Sequence, residues 1–348
     1  MKLSYLAFSK KGYELAKTLA KALGGQAFRS GHADENGKVL TLKEWTETHF
    51  STCDGIVFVG AAGIAIRAIA PFVKDKKTDP AVIVIDDMAL HVIPLLSGHL
   101  GGANDLARHI AEITGGDPVI TTATDIGGVF AVDEWSKHQN CELLEPKLIA
   151  GISGSLLRGE NVSVYSRWAI EGDVPENIRL TDSPAAADIV LDIRNAAGSG
   201  RPERAKRPLH LVPKICTLGV GCRKGILADT MEKQFSKCIA EAGIFAESIS
   251  RVATIDLKKE ETGLLEFCKS HGWPLTAYSS EELGNVAGAF TASRFVSSVT
   301  GVDNVCERSA VLASGGPLLK GKTAGSGVTM ALAVSDYTPD WTWTRSLE

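Results

Sequence analysis

The sequence predicts a multi-domain α/β protein with an N-terminal doubly wound, mostly parallel sheet over residues 1–131. A middle α/β module with its linker covers 132–208, and a separate C-terminal α/β domain covers 209–348. Three observations carry that reading. Strand-length apolar runs alternate with helical patterns through the first and last thirds, which is how a parallel sheet with covering helices reads along a chain. At 348 residues there is room for two or three cores. The segment 194–208 holds five Arg or Lys, two Pro and two Gly among small residues, the composition of an exposed linker.

Taken in order, the apolar run 3–8 predicts a first strand, and 11–23 and 42–50 predict helices before the strand 55–59. A glycine turn and a helix through Phe72 follow, then the β-branched strand 81–86, a short strand 90–94, a helix over 103–114 and a strand over 118–121. The middle stretch is less regular, with a helical pattern at 146–157 and strand-like runs at 162–166 and 189–191. The last third restarts the rhythm with strands at 216–220, 249–253, 274–278 and 328–334 and helices near 227–241, 260–270 and 304–313.

Composition excludes several classes. With 37 Lys and Arg against 41 Asp and Glu the net charge is −4, so no global positive field exists to hold nucleic acid or an anionic membrane, and an anionic ligand must be gripped by local groups. Seven cysteines, odd in number and never spaced C-x-x-C, argue against a disulfide framework or a thiolate metal site and suit a reducing cytoplasm. The uncharged runs are too short for a signal peptide or a membrane span. No metal site is expected: His91 and His99 stand eight apart without a Cys or Glu-x-x-His nearby.

The most conspicuous string, GPLLKGKT at 316–323, matches the phosphate-loop pattern G-x-x-x-x-G-K-[ST]. Its context is wrong, because a helical pattern precedes it and Ala-Gly-Ser-Gly follows Thr323, where the pattern requires a helix N-terminus. It reads instead as a basic, glycine-rich loop touching an anion through Lys320 or Lys322, or as a solvated turn.

Three other glycine turns have the right context for anions. Gly60, Gly63 and Arg67 follow a strand and open a helix, so backbone amides and a guanidinium fork can meet a carboxylate or phosphate, although close strand-on-helix packing explains the glycines equally well. The densest cluster is Ser97, Gly98, His99, Gly101, Gly102 and Asn104, with Thr121, Thr122, Thr124 and Asp125 after the next strand. Placed at neighbouring carboxyl ends of strands, the turns after Val59, Pro94 and Thr121 are expected to meet in one crevice. There His99 would serve as general acid or base, Asp125 as its orienting partner or an alternate base, and the glycines and Ser97 as donors to an oxyanion. Capping of two helices by His99 and Asp125 is the plainer alternative. In the last domain Cys222 and Arg223 sit in a turn of G-x-G-x-x-x-G spacing, an anion-turn candidate in which Cys222 is either partly thiolate or a plain structural thiol. The charged run 255–261 reads as the solvated start of a helix.

The block GAAGIAIRAIAPFVKDKKTDPAVIVIDDMALHVIPLLSGHLGGANDLA at 60–107, with PVITTATD at 118–125, resembles the N-terminal domain of the CbiG family of cobalamin biosynthesis. TLGVGCRKGI, RVATIDLKKEETGLLEF, PLTAYSSEEL and the Lys320 region up to VTMALAV are similar to that family's C-terminal domain, which is shared with CobE. Ile226 departs from the family, where a small hydroxyl residue is common. The resemblance implies hydrolysis of the δ-lactone of cobalt-precorrin-5A, with release of acetaldehyde, in the anaerobic route to vitamin B12. The implied partner is a cobalt-corrinoid tetrapyrrole whose carboxylates suit anion-binding turns, together with transient contact with neighbouring enzymes of the pathway. No cofactor is implied, since cobalt arrives within the substrate. A non-catalytic tetrapyrrole carrier or scaffold is the alternative from another class.

Overall fold

The computed structural model describes residues 1–33, 37–75, 78–98, 101–122, 128–195 and 207–343, with 294 and 295 by backbone alone. Two compact units result, Met1–Glu134 joined by Trp343, and Trp135–Thr342.

In the first unit β1 (Leu3–Ala7), β2 (Gln26–Arg29), β3 (Gly55–Val59), β4 (Ala81–Ile85), β5 (His91–Leu96) and β6 (Asp117–Pro118) form a sheet of order β2-β1-β3-β4-β5-β6. The first four are mutually parallel. Side chains alternate across it as the period of two requires. Tyr5, Val57, Val59, Ile83 and Ile85 face α1 (Lys10–Leu23) and α4 (Ala103–Thr114), whereas Leu6, Ile56, Phe58, Val82 and Val84 face α2 (Leu42–Thr52) and α3 (Ala62–Ile69). Both faces are covered, so β3 and β4 are buried throughout and read as unbroken apolar runs. Local signals set the helix starts: Ser9 Oγ accepts the Gly12 amide before α1, and Thr41 and Glu44 form a capping box before α2.

β5 breaks the parallel rule. It pairs antiparallel with β4, and β6 then runs parallel to β5. The connection from Ile85 to His91 is too short for a parallel crossover, which takes a dozen or more residues. It is a tight turn built on Asp86, whose carboxylate accepts the amides of Met88 (2.8 Å) and His91 (2.7 Å). Partial burial pushes the Asp86 carboxyl up, but the amides of His91, Met88 and Leu90 outweigh it and hold the group below its ordinary range.

The second unit contains two five-stranded sheets. β7 (Cys141–Leu143), β8 (Val162–Ser166), β9 (Ile178–Leu180), β10 (Ile189–Leu191) and β11 (Leu209–Pro213) take the order β7-β11-β10-β8-β9, parallel except for β7. Helix α5 (Val132–His138) lies where the chain passes from the first unit to the second, and α6 (Ile149–Leu157) accompanies the sheet. β11 carries this sheet beyond residue 208, to which the sequence assigned the middle module. The linker reading falls largely on 196–206, outside the described residues.

β12 (Cys216–Cys222), β13 (Ile249–Ile255), β14 (Leu275–Tyr278), β15 (Leu318–Gly325) and β16 (Val328–Val334) form the third sheet, of order β14-β13-β12-β16-β15. α7 (Ala228–Ala242) and α8 (Thr262–His271) bury Met231, Phe235, Cys238, Leu264 and Phe267 against Leu218, Val220, Met330 and Leu332. The same core takes in Ile193 and Val212, so the second and third sheets share it. Two short helices, α9 (Ser280–Gly284) and α10 (Arg294–Thr300), lead to α11 (Cys306–Ser314), which lies so close to β12 that a Cβ on Gly219 would stand 1.8 Å from the Cys306 carbonyl oxygen. In the first turn of α11, Glu307 is 2% exposed yet satisfied: it accepts from the Thr291 amide and hydroxyl, Asn304 Nδ2 and the Lys322 amide.

Two expectations change here. The string at 316–323 is neither a glycine-rich loop nor a solvated turn: its residues 318–323 lie in β15, an edge strand whose chain returns through Ser326 and Gly327 into β16. A strand has no converging amides for phosphates, and Thr323 is 4% exposed with its hydroxyl donating to Glu241 at 3.1 Å. The charged run at 255–261 spans the end of β13 and a single 3-10 turn at Asp256–Lys258, with α8 beginning only at Thr262.

Candidate functional site

The antiparallel β5 separates turns that the sequence grouped together. Gly60 stands at the carboxyl ends of β1, β3 and β4, where its amide donates to Ile85 (2.8 Å). Ser97 and Gly98 leave β5 at the other edge, where the Ser97 hydroxyl donates to the Asp79 carbonyl (2.9 Å) just before β4. About 17 Å of strand lies between the two edges for a six-residue strand. The single crevice expected from the turns after Val59, Pro94 and Thr121 is therefore corrected to two places, because one reversed strand carries its turn to the opposite edge.

At the first place Gly60 holds φ 152°, and a Cβ there would meet Phe8 at 2.7 Å, so close packing accounts for this glycine. Gly63 is exposed near the start of α3, whose N-cap Ala61 offers no side chain to its amides. Arg67 is exposed and folds back to the Gly63 carbonyl at 3.2 Å.

The second place is a self-closed turn. Ser97 (φ 59°) and Gly102 (φ 81°) both adopt left-handed backbone, and the Ala103 and Asn104 amides donate to Ser97 and Gly98 carbonyls. Gly98 and Gly101 permit that closure: a Cβ on Gly98 would lie 2.9 Å from Asn104 Oδ1, and one on Gly101 would lie 2.2 Å from Ser97 Cβ. Asn104, 2% exposed, donates from Nδ2 to Thr122 Oγ1 at 2.9 Å. That bond ties the β5–α4 turn to the chain after β6, which carries the exposed Thr121 and half-buried Thr122. Three roles shift as a result. The Ser97 proton is spent on Asp79, so this hydroxyl anchors the turn instead of donating to an oxyanion. Asn104 is a buried brace, where a substrate contact was expected. Thr122 accepts from Asn104 and keeps its own hydroxyl proton for another acceptor. His99, Thr124 and Asp125 lie outside the described residues.

In the second unit, Cys222 ends β12 and Arg223 follows it, ahead of the start of α7, whereas Lys320 on β15 is paired with Glu241 near the far end of that helix, at 3.1 Å. Some 20 Å of helix lies between them at 1.5 Å per residue, so the three do not form one anion site. Burial pushes the Cys222 thiol up to about 11, which corrects the thiolate reading: the cation beside it, Lys258, does not offset the desolvation. Cys222 is accordingly expected to alkylate with iodoacetamide at pH 7.5 about a hundredfold more slowly than an ordinary exposed thiol, as peptide mass mapping would measure. The Gly225 turn forms despite Ile226, with Gly225 at φ 77° and its amide on Glu261 (2.7 Å).

All seven cysteines are unpaired. Among the described residues no group of three or more His, Cys, Asp or Glu is placed to hold a metal, and no helix is long and apolar enough to cross a membrane.

Comparison with known proteins bears on both units. Residues 44–125 match the family model for the cobalamin synthesis G N-terminal domain, and 216–333 match that for its C-terminus. The chain is 33% identical to the cobalt-precorrin-5A hydrolase of Priestia megaterium, over 95% of this chain and 94% of that protein. It is 32% identical to the cobalt-precorrin-5A hydrolase of Salmonella typhimurium, over 93% of this chain and 95% of that protein. A crystal structure of a cobalamin biosynthesis protein G homolog from Sulfolobus solfataricus aligns over 96% of this chain and 97% of its own, at 24% identity and a TM-score of 0.41.

Proposed function

Since the chain belongs to the cobalamin synthesis G (CbiG) family, we propose that the β5–α4 turn, braced by Asn104 on Thr122, is where it opens its substrate. The protein is a cobalt-precorrin-5A hydrolase of cobalamin biosynthesis, and the carrier alternative is not favoured.

Water attacks the lactone carbonyl, and a base must take its proton as the bond forms. His99 is that base in our reading, with Asp125 orienting it or taking the proton itself. What supports the pair is the Asn104–Thr122 bond: Gly98 and Gly101 flank His99, Thr122 shortly precedes Asp125, and Asn104 binds the two segments together. In this reading the Thr122 hydroxyl, which accepts from Asn104, gives its own proton to the developing oxyanion or to a substrate carboxylate. Collapse of the lactone gives a carboxylate and an alkoxide, and retro-aldol cleavage of the alkoxide releases acetaldehyde. The electron pair left behind passes into the conjugated macrocycle, which is then protonated. No resident cofactor is needed for these steps, because cobalt travels with the substrate. Seven unpaired thiols suit a cytoplasmic enzyme.

Incubating the pure protein with cobalt-precorrin-5A and trapping aldehyde tests the activity: stoichiometric acetaldehyde is expected, and recovery of intact substrate would remove the enzyme reading. Arg67 stands partway along α3, which runs back from the Gly60 edge, and its long exposed side chain suits a peripheral carboxylate. Arg67→Ala is expected to raise KM more than it lowers kcat, as loss of equal ground-state and transition-state binding requires. An unchanged KM would leave Arg67 with its helix contact alone.

A further inference from the structure

Ser97 holds left-handed backbone at φ 59°, a region that crowds any Cβ, in a turn that uses glycine freely at 98, 101 and 102. Glycine would adopt the same backbone without strain, so the serine is there for its side chain. Its hydroxyl donates to the Asp79 carbonyl at 2.9 Å. Its Cβ is the surface on which Gly101 rests, 2.2 Å from where a Gly101 Cβ would stand. The strand leading into the turn is irregular as well. β5 pairs Leu96 with Val82 but Pro94 with Ile83, so Leu95 is an extra residue that re-aims the chain just before Ser97.

Asp79 is the fixed end of that bond. Its carboxylate, in a residue 7% exposed, accepts the amides of Lys74 (3.2 and 2.9 Å to its two oxygens) and Asp75 (3.1 Å). Its own amide donates to the Asp75 carbonyl (2.9 Å). Hydrogen bonds to a buried carboxylate are the strong kind. On the other side Pro80 restricts the Asp79 backbone to extended conformations, and the Ala81 amide donates to the Asp54 carbonyl (2.9 Å), so the Asp79 carbonyl is held from both directions. We propose that Asp79 is a positioning residue for lactone opening, acting through Ser97. Bonds at its side chain fix a carbonyl, the carbonyl fixes the Ser97 hydroxyl, and the left-handed Ser97 then sets where the chain between Gly98 and Gly101 carries the imidazole of His99. This role rests on the reading of His99 as the base, and Asp79 itself touches no substrate in it.

The test is Ser97→Gly in the full chain, which keeps left-handed backbone open and removes the hydroxyl. Its kcat for cobalt-precorrin-5A is expected to fall by about tenfold to a hundredfold, the scale of a misplaced reacting group, with KM within about twofold and the urea midpoint nearly unchanged. A purely structural role would move the midpoint and leave kcat in place. Asp79→Asn, which turns an NH2 group toward backbone amides, should show the same loss, and the double variant no more than the larger single loss. Losses that multiply overturn the common path. Because the effect runs through His99, Ser97→Gly should lower kcat no further in a His99→Ala background, and a further loss there also overturns the proposal. His99→Ala alone tells two failures apart. If it keeps its turnover, the reading of the turn falls and this role falls with it. If it loses turnover while Ser97→Gly keeps kcat within about threefold, or raises KM instead, the reading stands and the positioning role alone is overturned.

Discussion

His99→Ala is expected to lower kcat by roughly a hundredfold to ten-thousandfold, the usual cost of losing a general base, while the variant still folds and binds cobalt-precorrin-5A. An imidazole of ordinary pKa near 6.5 exchanges protons at neutral pH, and lactone opening requires such an exchange in its first step. A carboxylate of ordinary pKa is the weaker base, so Asp125 cannot fully replace it. Steady-state acetaldehyde release, with substrate binding followed by absorbance, separates the two effects. A folded variant that keeps most of its turnover would sink the assignment and shift the role to Asp125. His91 is then no substitute: it begins β5, at the edge away from the Asn104–Thr122 brace.

Gly219→Ala is expected to destabilise the protein by at least about 3 kcal/mol or to prevent folding, the range for forcing an atom into a closed backbone contact. The added methyl would stand 1.8 Å from the Cys306 carbonyl oxygen, 2.8 Å from its carbon and 2.9 Å from Ala310 Cβ. No rotamer relieves it, because the clashing atoms are the backbone and a Cβ of α11. That helix also carries Glu307, which gathers Thr291, Asn304 and the Lys322 amide, so it cannot withdraw from β12 without breaking several buried hydrogen bonds. Gly151, with open space where its Cβ would be and ordinary helical backbone, is the control, and Gly151→Ala should leave the urea midpoint nearly unchanged. Equal midpoints for the two variants would mean that α11 does not seat on β12 as described.

The sequence by itself determined the elements whose cause is local. β3, β4, β10 and β16 are apolar runs bounded by polar or turn residues, β8 is an alternating one, and all five were legible almost to the residue; α1, α4 and α7 followed from helical periodicity. It also settled that GPLLKGKT is no phosphate loop, because the required helix start is missing from the adjacent residues. The exposed edge strand β2 and the short β9 were not legible, since a half-exposed strand owes its order to a neighbour far along the chain and shows little alternation of its own. β15 was hidden for the same reason: its glycines and lysines read as a loop until β16 supplies the hydrogen bonds.

For the site, the sequence determined which residues crowd together, since Ser97, Gly98, Gly101, Gly102 and Asn104 are neighbours along the chain. The tertiary structure decided what each of them does. Strand direction is a property of a pair, so the reversal of β5 that parts Gly60 from Ser97 emerges only when β4 and β5 hydrogen-bond, although the brevity of the link between Ile85 and His91 was a signal available in advance. Likewise a side chain's free proton depends on its partner. Ser97 loses its own to Asp79, 18 residues away, and Asn104 gives its amide proton to Thr122, also 18 residues away. Hydrogen-bond capacity is fixed by residue type, but which atom consumes it is fixed by the fold.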